Sequence, residues 1–168
     1  MRNVRVAAIQ MQCAKDVATN IQTAERLVRQ AAEQGVQIIL LPELFERPYF
    51  CQERQYDYYQ HAQSVTDNTA IQHFKELAKE LEVVLPISFY EKDGNVLYNS
   101  IAVIDADGEV LGVYRKTHIP DDHYYQEKFY FTPGNTGFKV WDTRYAKIGV
   151  GICWDPVSYT HLLAHETR

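Results

Sequence analysis

Apolar positions recur along the chain in different rhythms, and each rhythm predicts a different element. VRVAAIQM (4–11) is a short apolar run that predicts a strand. In the following TNIQTAERLVRQAAEQG, residues Ile21, Ala24, Leu27, Val28 and Ala31 fall on one helical face. Thr19 or Asn20 is placed to cap that helix and Gly35 to end it. VQIILLPE then runs apolar without alternation and halts at Pro42, as a strand covered on both faces would. Beyond the polar TDNTA, residues Ile71, Phe74, Leu77, Ala78 and Leu81 line one side of a second helix.

From Val83 the rhythm shortens. Three strand-like runs are separated by Asp93-Gly94 and Asp107-Gly108, each a strong hairpin signal. An aromatic and charged loop, DDHYYQEKFYFTPGNTG, leads to the strands FKVW and KIGVGIC. In the last, Ile148, Val150 and Ile152 share one face while Gly149 and Gly151 share the other, which would admit a close neighbour. Cys153 falls at its carboxyl end, where α/β sheets place their chemistry. The order β-α-β-α, a meander and a further strand predicts an α/β fold, a mixed sheet with helices packed on it. There is no internal repeat, low-complexity tract or linker.

Composition narrows the function. A chain of 168 residues supports one domain with a real core, and a net charge of −5 argues against nucleic acid. No apolar run reaches membrane-helix length, and the alternating N-terminus lacks the apolar block of a signal peptide, so a cytoplasmic location is expected. The three cysteines, Cys13, Cys51 and Cys153, are odd in number and contain no CxxC pair. That fits neither a disulfide framework nor a zinc site, and leaves reactivity as the reason for a special cysteine.

Three predicted strand ends carry a carboxylate, an ammonium and a thiol: Glu43 in IILLPEL, Lys116 in VLGVYRKTHIP, and Cys153. Singly, each has a plain reading as a loop carboxylate, a surface charge and a small buried hydrophobe. Together they can hydrolyse an amide. A free thiol, with a pKa of about 8.5, needs a base at neutral pH, and Glu43 could accept its proton and pass it to a leaving amine. Lys116 and the backbone N–H of Trp154 could then form an oxyanion hole.

LLPELFERPYF, YRKTHIP, YYQEKFYFTPGNTGF and IGVGICWD resemble, in order and spacing, the Glu, Lys and Cys motifs of the carbon–nitrogen hydrolase (nitrilase) superfamily. Within it, ELFERPYFCQ and HIPDDHYYQEKFYFTPG look most like the N-carbamoylputrescine amidohydrolase branch, with Arg47 standing where many members would carry glycine. The resemblance implies an α-β-β-α sandwich, with Glu43 as general base and acid, Lys116 as oxyanion stabiliser and Cys153 as nucleophile. It also implies Glu127 as a second glutamate beside the lysine. The implied reaction converts N-carbamoylputrescine to putrescine, ammonia and carbon dioxide through a thioester, with no metal or organic cofactor. The alternatives are another amidase or nitrilase of the superfamily, or a non-catalytic interaction module with the same fold.

A small carbamoyl amine is thus the expected partner, with no nucleic acid or membrane partner, and the parent protein is expected to be a homo-oligomer. Its protonated amine tail would call for anionic or π-rich surroundings, which Asp121, Asp122 and the neighbouring aromatics could supply; Tyr49 and Tyr125 are the first candidates to line the pocket. His161 and His165 are spaced like a helical metal pair but lack the glutamate of HExxH and a third ligand, so no metal site is assigned. His118 is expected to orient its loop by a hydrogen bond. After Asp155 the sequence PVSYTHLLAHETR departs from the family pattern. The expectation is a partial hydrolase domain over 1–155, the N-terminal half to two-thirds of the fold. A non-native-looking tail over 156–168 would follow it, leaving the chain inactive by itself.

Overall fold

The computed structural model describes residues 3–156. Helix α1 (Val17–Glu33) and helix α2 (Thr69–Leu81) lie against one face of an antiparallel meander, β3 (Leu85–Asp93), β4 (Val96–Ile104) and β5 (Val110–Arg115). Both Asp-Gly pairs make the predicted turns. Before the meander, β1 (Val6–Ala8) pairs in parallel with β2 (Ile38–Leu40). β2 continues alongside the start of β3 through Ile39 N–H to Val84 O at 3.0 Å and Val84 N–H to Gln37 O at 2.8 Å. After it, β6 (Val140–Asp142) pairs antiparallel with β7 (Lys147–Gly149). No helix among the described residues is long and apolar enough to cross a membrane.

The meander's register sorts its side chains into two faces. Leu85, Ile87 and Phe89 on β3 oppose Ile104, Ala102 and Ser100 on β4. Their apolar members join Ala24, Val28, Ile71 and Phe74 in the main core. The alternate residues Tyr90, Asn99, Ile101 and Tyr114 point to the other side. There Ile101 and Tyr114 pack with Trp141 and Ile152. The second face, away from the helices, is the one that Asn99 and Tyr114 share.

Several local expectations change. α1 is capped by Asp16, whose Oδ2 accepts the Thr19 amide and hydroxyl, each at 2.7 Å. A carboxylate one turn earlier takes the first-turn amide, and Asn20 is used otherwise: its Nδ2 donates to Ala14 O at 2.8 Å and Glu46 O at 2.9 Å. Gly35 ends the helix with φ +77°, as expected. In β2 only Ile39 is fully enclosed, while Leu40 is 45% exposed. Strand alternation sends Ile39 into the helix-covered core and Leu40 to the opposite side, so this strand is not covered on both faces among the described residues. β7 ends at Gly149, and Cys153 opens a separate turn rather than closing the strand. Nor, among the described residues, does any neighbour closely approach the Gly149/Gly151 face. A Cβ on Gly149 would lie 3.5 Å from its nearest atom, as would one on Gly151, which is ordinary contact.

The close approach occurs instead at Gly134. Its N–H donates to Lys116 O at 2.8 Å, and a Cβ there would sit 2.1 Å from Arg115 O. Only a residue without a side chain can clamp the end of β5 this way. The aromatic loop is likewise packed. Phe50 and Tyr130 meet edge to face at 5.0 Å, as do Tyr90 and Phe131, which anchors residues 127–131 beneath residues 49–51. Gly134→Ala is expected to destabilise the protein by about 2 kcal/mol or more, because backbone must move to admit the methyl group. A lowered urea midpoint would register this, and an unchanged midpoint would contradict it.

Candidate active site

Lys116 lies one residue past β5, with its side chain 0% exposed. Its Nζ donates to Glu127 Oε2 at 2.7 Å and to Glu43 Oε1 at 3.1 Å. Glu127, 1% exposed, begins a 3-10 turn (Glu127–Phe129) in the aromatic loop. Glu43 follows β2 and is held from the next residue. Leu44 adopts φ +53° and donates its N–H to Ser88 Oγ on β3 at 2.9 Å. A carboxylate 73 residues away and one 11 residues away thus meet on one ammonium.

Burial alone would favour the neutral amine, but Glu43 and Glu127 outweigh it and hold Lys116 above the ordinary lysine value. Burial pushes the Glu127 carboxyl above its ordinary range, with Lys116 opposing. Tyr49 contributes here, donating its hydroxyl to Glu127 Oε1 at 2.7 Å. Burial and that carboxylate raise the phenol far above its usual value, so Tyr49 remains a donor. Its ring lies 6.0 Å from that of Tyr125, which is 51% exposed. Asp121 pairs with Arg54 at 3.8 Å, beside a cleft of about 320 Å³ that Asp122 also lines.

Cys153 is exposed, has φ +47°, and feels Lys116, Glu43 and Glu127 electrostatically. Partial burial pushes its thiol above the ordinary value; Lys116 draws it down, the two carboxylates push it up, and the Trp154 backbone N–H favours the thiolate. The left-handed conformation is uncommon for a residue with a side chain and must be imposed by the surroundings.

Asp155 imposes it. This carboxylate, 4% exposed, accepts Ile152 N–H at 2.8 Å and the Tyr114 hydroxyl at 2.7 Å through Oδ2. Through Oδ1 it accepts the amides of Thr117 at 3.1 Å and His118 at 3.0 Å. His118 Nδ1 also meets that oxygen, at 3.1 Å, in the loop-orienting role expected of this histidine. One buried carboxylate therefore ties the cysteine turn to the segment that follows Lys116.

The geometry brings Glu43, Lys116, Glu127, Cys153 and the Trp154 amide into one site, with Tyr49 bound to it and Tyr125 at its edge. His161 and His165 lie outside the described residues, as does the predicted tail beyond Pro156. Among the described residues no group of three or more His, Cys, Asp or Glu is placed to hold a metal ion. Two polar residues went unread in the sequence. Asp155 was visible only as a letter after CW. Asn99 stands among buried neighbours in β4 and donates its Nδ2 to Glu43 Oε1 at 2.6 Å. An amide inside a buried strand was the available signal.

A carbon–nitrogen hydrolase family model matches residues 5–164. A rice (Oryza sativa) protein named N-carbamoylputrescine amidase is 57% identical over 90% of this chain and 50% of its own length. A Francisella tularensis protein named citrullinase is 51% identical over 92% of this chain and 54% of its own. The crystal structure of a carbon–nitrogen hydrolase from Helicobacter pylori superposes with a TM-score of 0.83 at 33% identity, covering 90% of this chain and 52% of that one. The chain spans about half the length of the curated relatives it matches. With a family match over nearly its whole length, the chain belongs to the carbon–nitrogen hydrolase family.

Proposed function

We propose that the protein carrying this sequence hydrolyses a non-peptide amide C–N bond through a thioester on Cys153, with N-carbamoylputrescine as its substrate. The observation that carries this reading is the fully buried Lys116, bonded to two carboxylates beside a strained, exposed cysteine. Burial disfavours the charged form of Cys153, so attack calls for a base. Glu43 takes the proton as sulfur bonds to the carbamoyl carbon. Lys116 and the Trp154 N–H stabilise the oxyanion that forms. The intermediate collapses, expelling an amine or ammonia that takes the proton from Glu43. Water, activated by Glu43, then cleaves the thioester, its proton passing to the departing sulfur, and releases a carbamic acid whose remaining C–N bond breaks to give carbon dioxide and the second amine or ammonia. Overall, N-carbamoylputrescine and water give putrescine, ammonia and carbon dioxide, without a metal or organic cofactor.

Glu127 touches the lysine rather than the reacting carbon and serves to hold the ammonium in place. Tyr49 holds Glu127 in turn, and Tyr125, beside it, lines the approach. The rice relative's name supports the putrescine assignment, and the citrullinase supports a second reading in which another ureido compound, citrulline, is cleaved. The protein is inferred to act in the cytoplasm as a homo-oligomer on small molecules, without nucleic-acid or membrane partners.

In the natural full-length protein, ammonia release is expected to be fastest from N-carbamoylputrescine in a panel with citrulline, ω-amides and nitriles. Cys153→Ala should abolish release, and Lys116→Met should lower kcat by about a hundredfold or more. Preference for another substrate overturns the substrate assignment, and full activity in Cys153→Ala overturns the mechanism. Iodoacetamide labelling offers a separate check. A raised thiol pKa delays the thiolate to higher pH, so labelling of Cys153 should be half-maximal above about 8.5. Lys116→Met removes a positive charge that opposes this shift and should move that midpoint higher still. A midpoint below the free-cysteine value would contradict the electrostatics.

A further inference from the structure

We propose that Asn99 is a positioning residue for Glu43, one that fixes the carboxylate so that the oxygen position turned away from Asn99 and Lys116 exchanges the proton. This inference rests on the reading of Glu43 as the base. Asn99 sits on β4, 0% exposed, on the sheet face opposite the helices. Its side-chain Nδ2 donates to Glu43 Oε1 at 2.6 Å. Its main-chain carbonyl accepts the Lys116 N–H at 2.8 Å. A single residue therefore sets the height of the lysine along the sheet and fixes the glutamate that the lysine meets.

The two donors, Asn99 Nδ2 and Lys116 Nζ, converge on the same oxygen. No donor among the described residues is bound to Oε2. Glu43 is thereby held in one carboxylate plane: turning out of it would forfeit two bonds at once, whereas a half-turn only exchanges two equivalent oxygens. Oε1 is committed to the scaffold, and Oε2 is the oxygen left to take the thiol proton and return it to the leaving amine.

The amide's other end shows what this arrangement costs. Because Oε1 can only accept from its neighbours here, the Asn99 NH2 must face it, and that orientation strands the Asn99 Oδ1. This atom is buried without a partner, the one such side-chain atom among the described residues. A buried, unsatisfied carbonyl lowers stability, and an apolar residue of similar size would not carry that cost. A residue kept only for packing would have no reason to bear it, whereas a donor aimed at a catalytic carboxylate does.

The test uses the natural full-length protein and compares wild type, Asn99→Leu, Asn99→Asp, Glu43→Gln and the double variant Asn99→Leu/Glu43→Gln. Asn99→Leu is expected to keep or raise the melting temperature while kcat falls about 10- to 100-fold, the cost of losing a hydrogen bond to a charged group, with KM within about threefold. Asn99→Asp keeps the shape but turns the donor into an acceptor, and should lose at least as much. In the double variant the Asn99 change should add nothing to the loss caused by Glu43→Gln, since the residue acts only through that carboxylate. Wild-type kcat in Asn99→Leu, wild-type kcat in Asn99→Asp, or strictly multiplicative losses in the double variant would overturn the proposal. If Asn99→Leu does not fold, Asn99→Asp and its combination with Glu43→Gln decide the matter by the same criteria. A wild-type protein without amide turnover would instead sink the reading of Glu43 as base, and this inference with it.

Discussion

Everything in the site is arranged around one buried ammonium. Taking Lys116 out of water costs several kcal/mol unless partners of opposite charge are held at hydrogen-bond distance. Glu43 and Glu127 meet that condition at 3.1 Å and 2.7 Å. Each partner arrives from a different part of the chain, one after β2 and one from the aromatic loop, so the ion cluster is also a long-range fold constraint. Removing one carboxylate would leave the ammonium a single partner, and removing both would strand it in the interior. The aromatic packing of Phe50, Tyr90, Tyr130 and Phe131 answers the same requirement, because it prevents the loop bearing Glu127 from swinging into solvent.

A second buried charge performs the complementary task. Asp155 gathers the amides of Ile152, Thr117 and His118 and the Tyr114 hydroxyl, so the cysteine turn cannot drift from the lysine segment. The unusual backbone at Leu44 and Cys153 fits this picture. Leu44 follows Glu43 directly, and Cys153 is itself a candidate site residue. Strain of this kind persists only where surrounding bonds over-determine it. In the proposed mechanism the base and the oxyanion donors do the activating, since burial raises the thiol's affinity for its proton.

The parts of this structure that depend on local rhythm were readable in the sequence. The two Asp-Gly hairpins and the apolar faces of α1 and α2 follow from period and turn chemistry alone. Glu43, Lys116 and Cys153 stood out as chemically complementary groups near strand ends, and the motif resemblance added Glu127. What escaped was whatever a distant partner decides. Asp16 rather than Thr19 or Asn20 caps α1 because Asn20 is engaged by Ala14 and Glu46. Leu40 looked like core but alternates onto the face away from the helices. The tightest close approach is at Gly134, whose neighbour Arg115 lies nineteen positions away, and no periodicity marks such a contact. Asn99 and Asp155 were hidden for the same reason. Their importance lies in what they bond to.

An NMR titration of the protein with lysines labelled at 13Cε would test the central claim most directly, with Lys116→Met used to assign the resonance. The account predicts that Lys116 keeps its ammonium shift after the surface lysines have lost theirs, because two carboxylates hold its proton. A Lys116 signal that titrates with the others, or ahead of them, would contradict it.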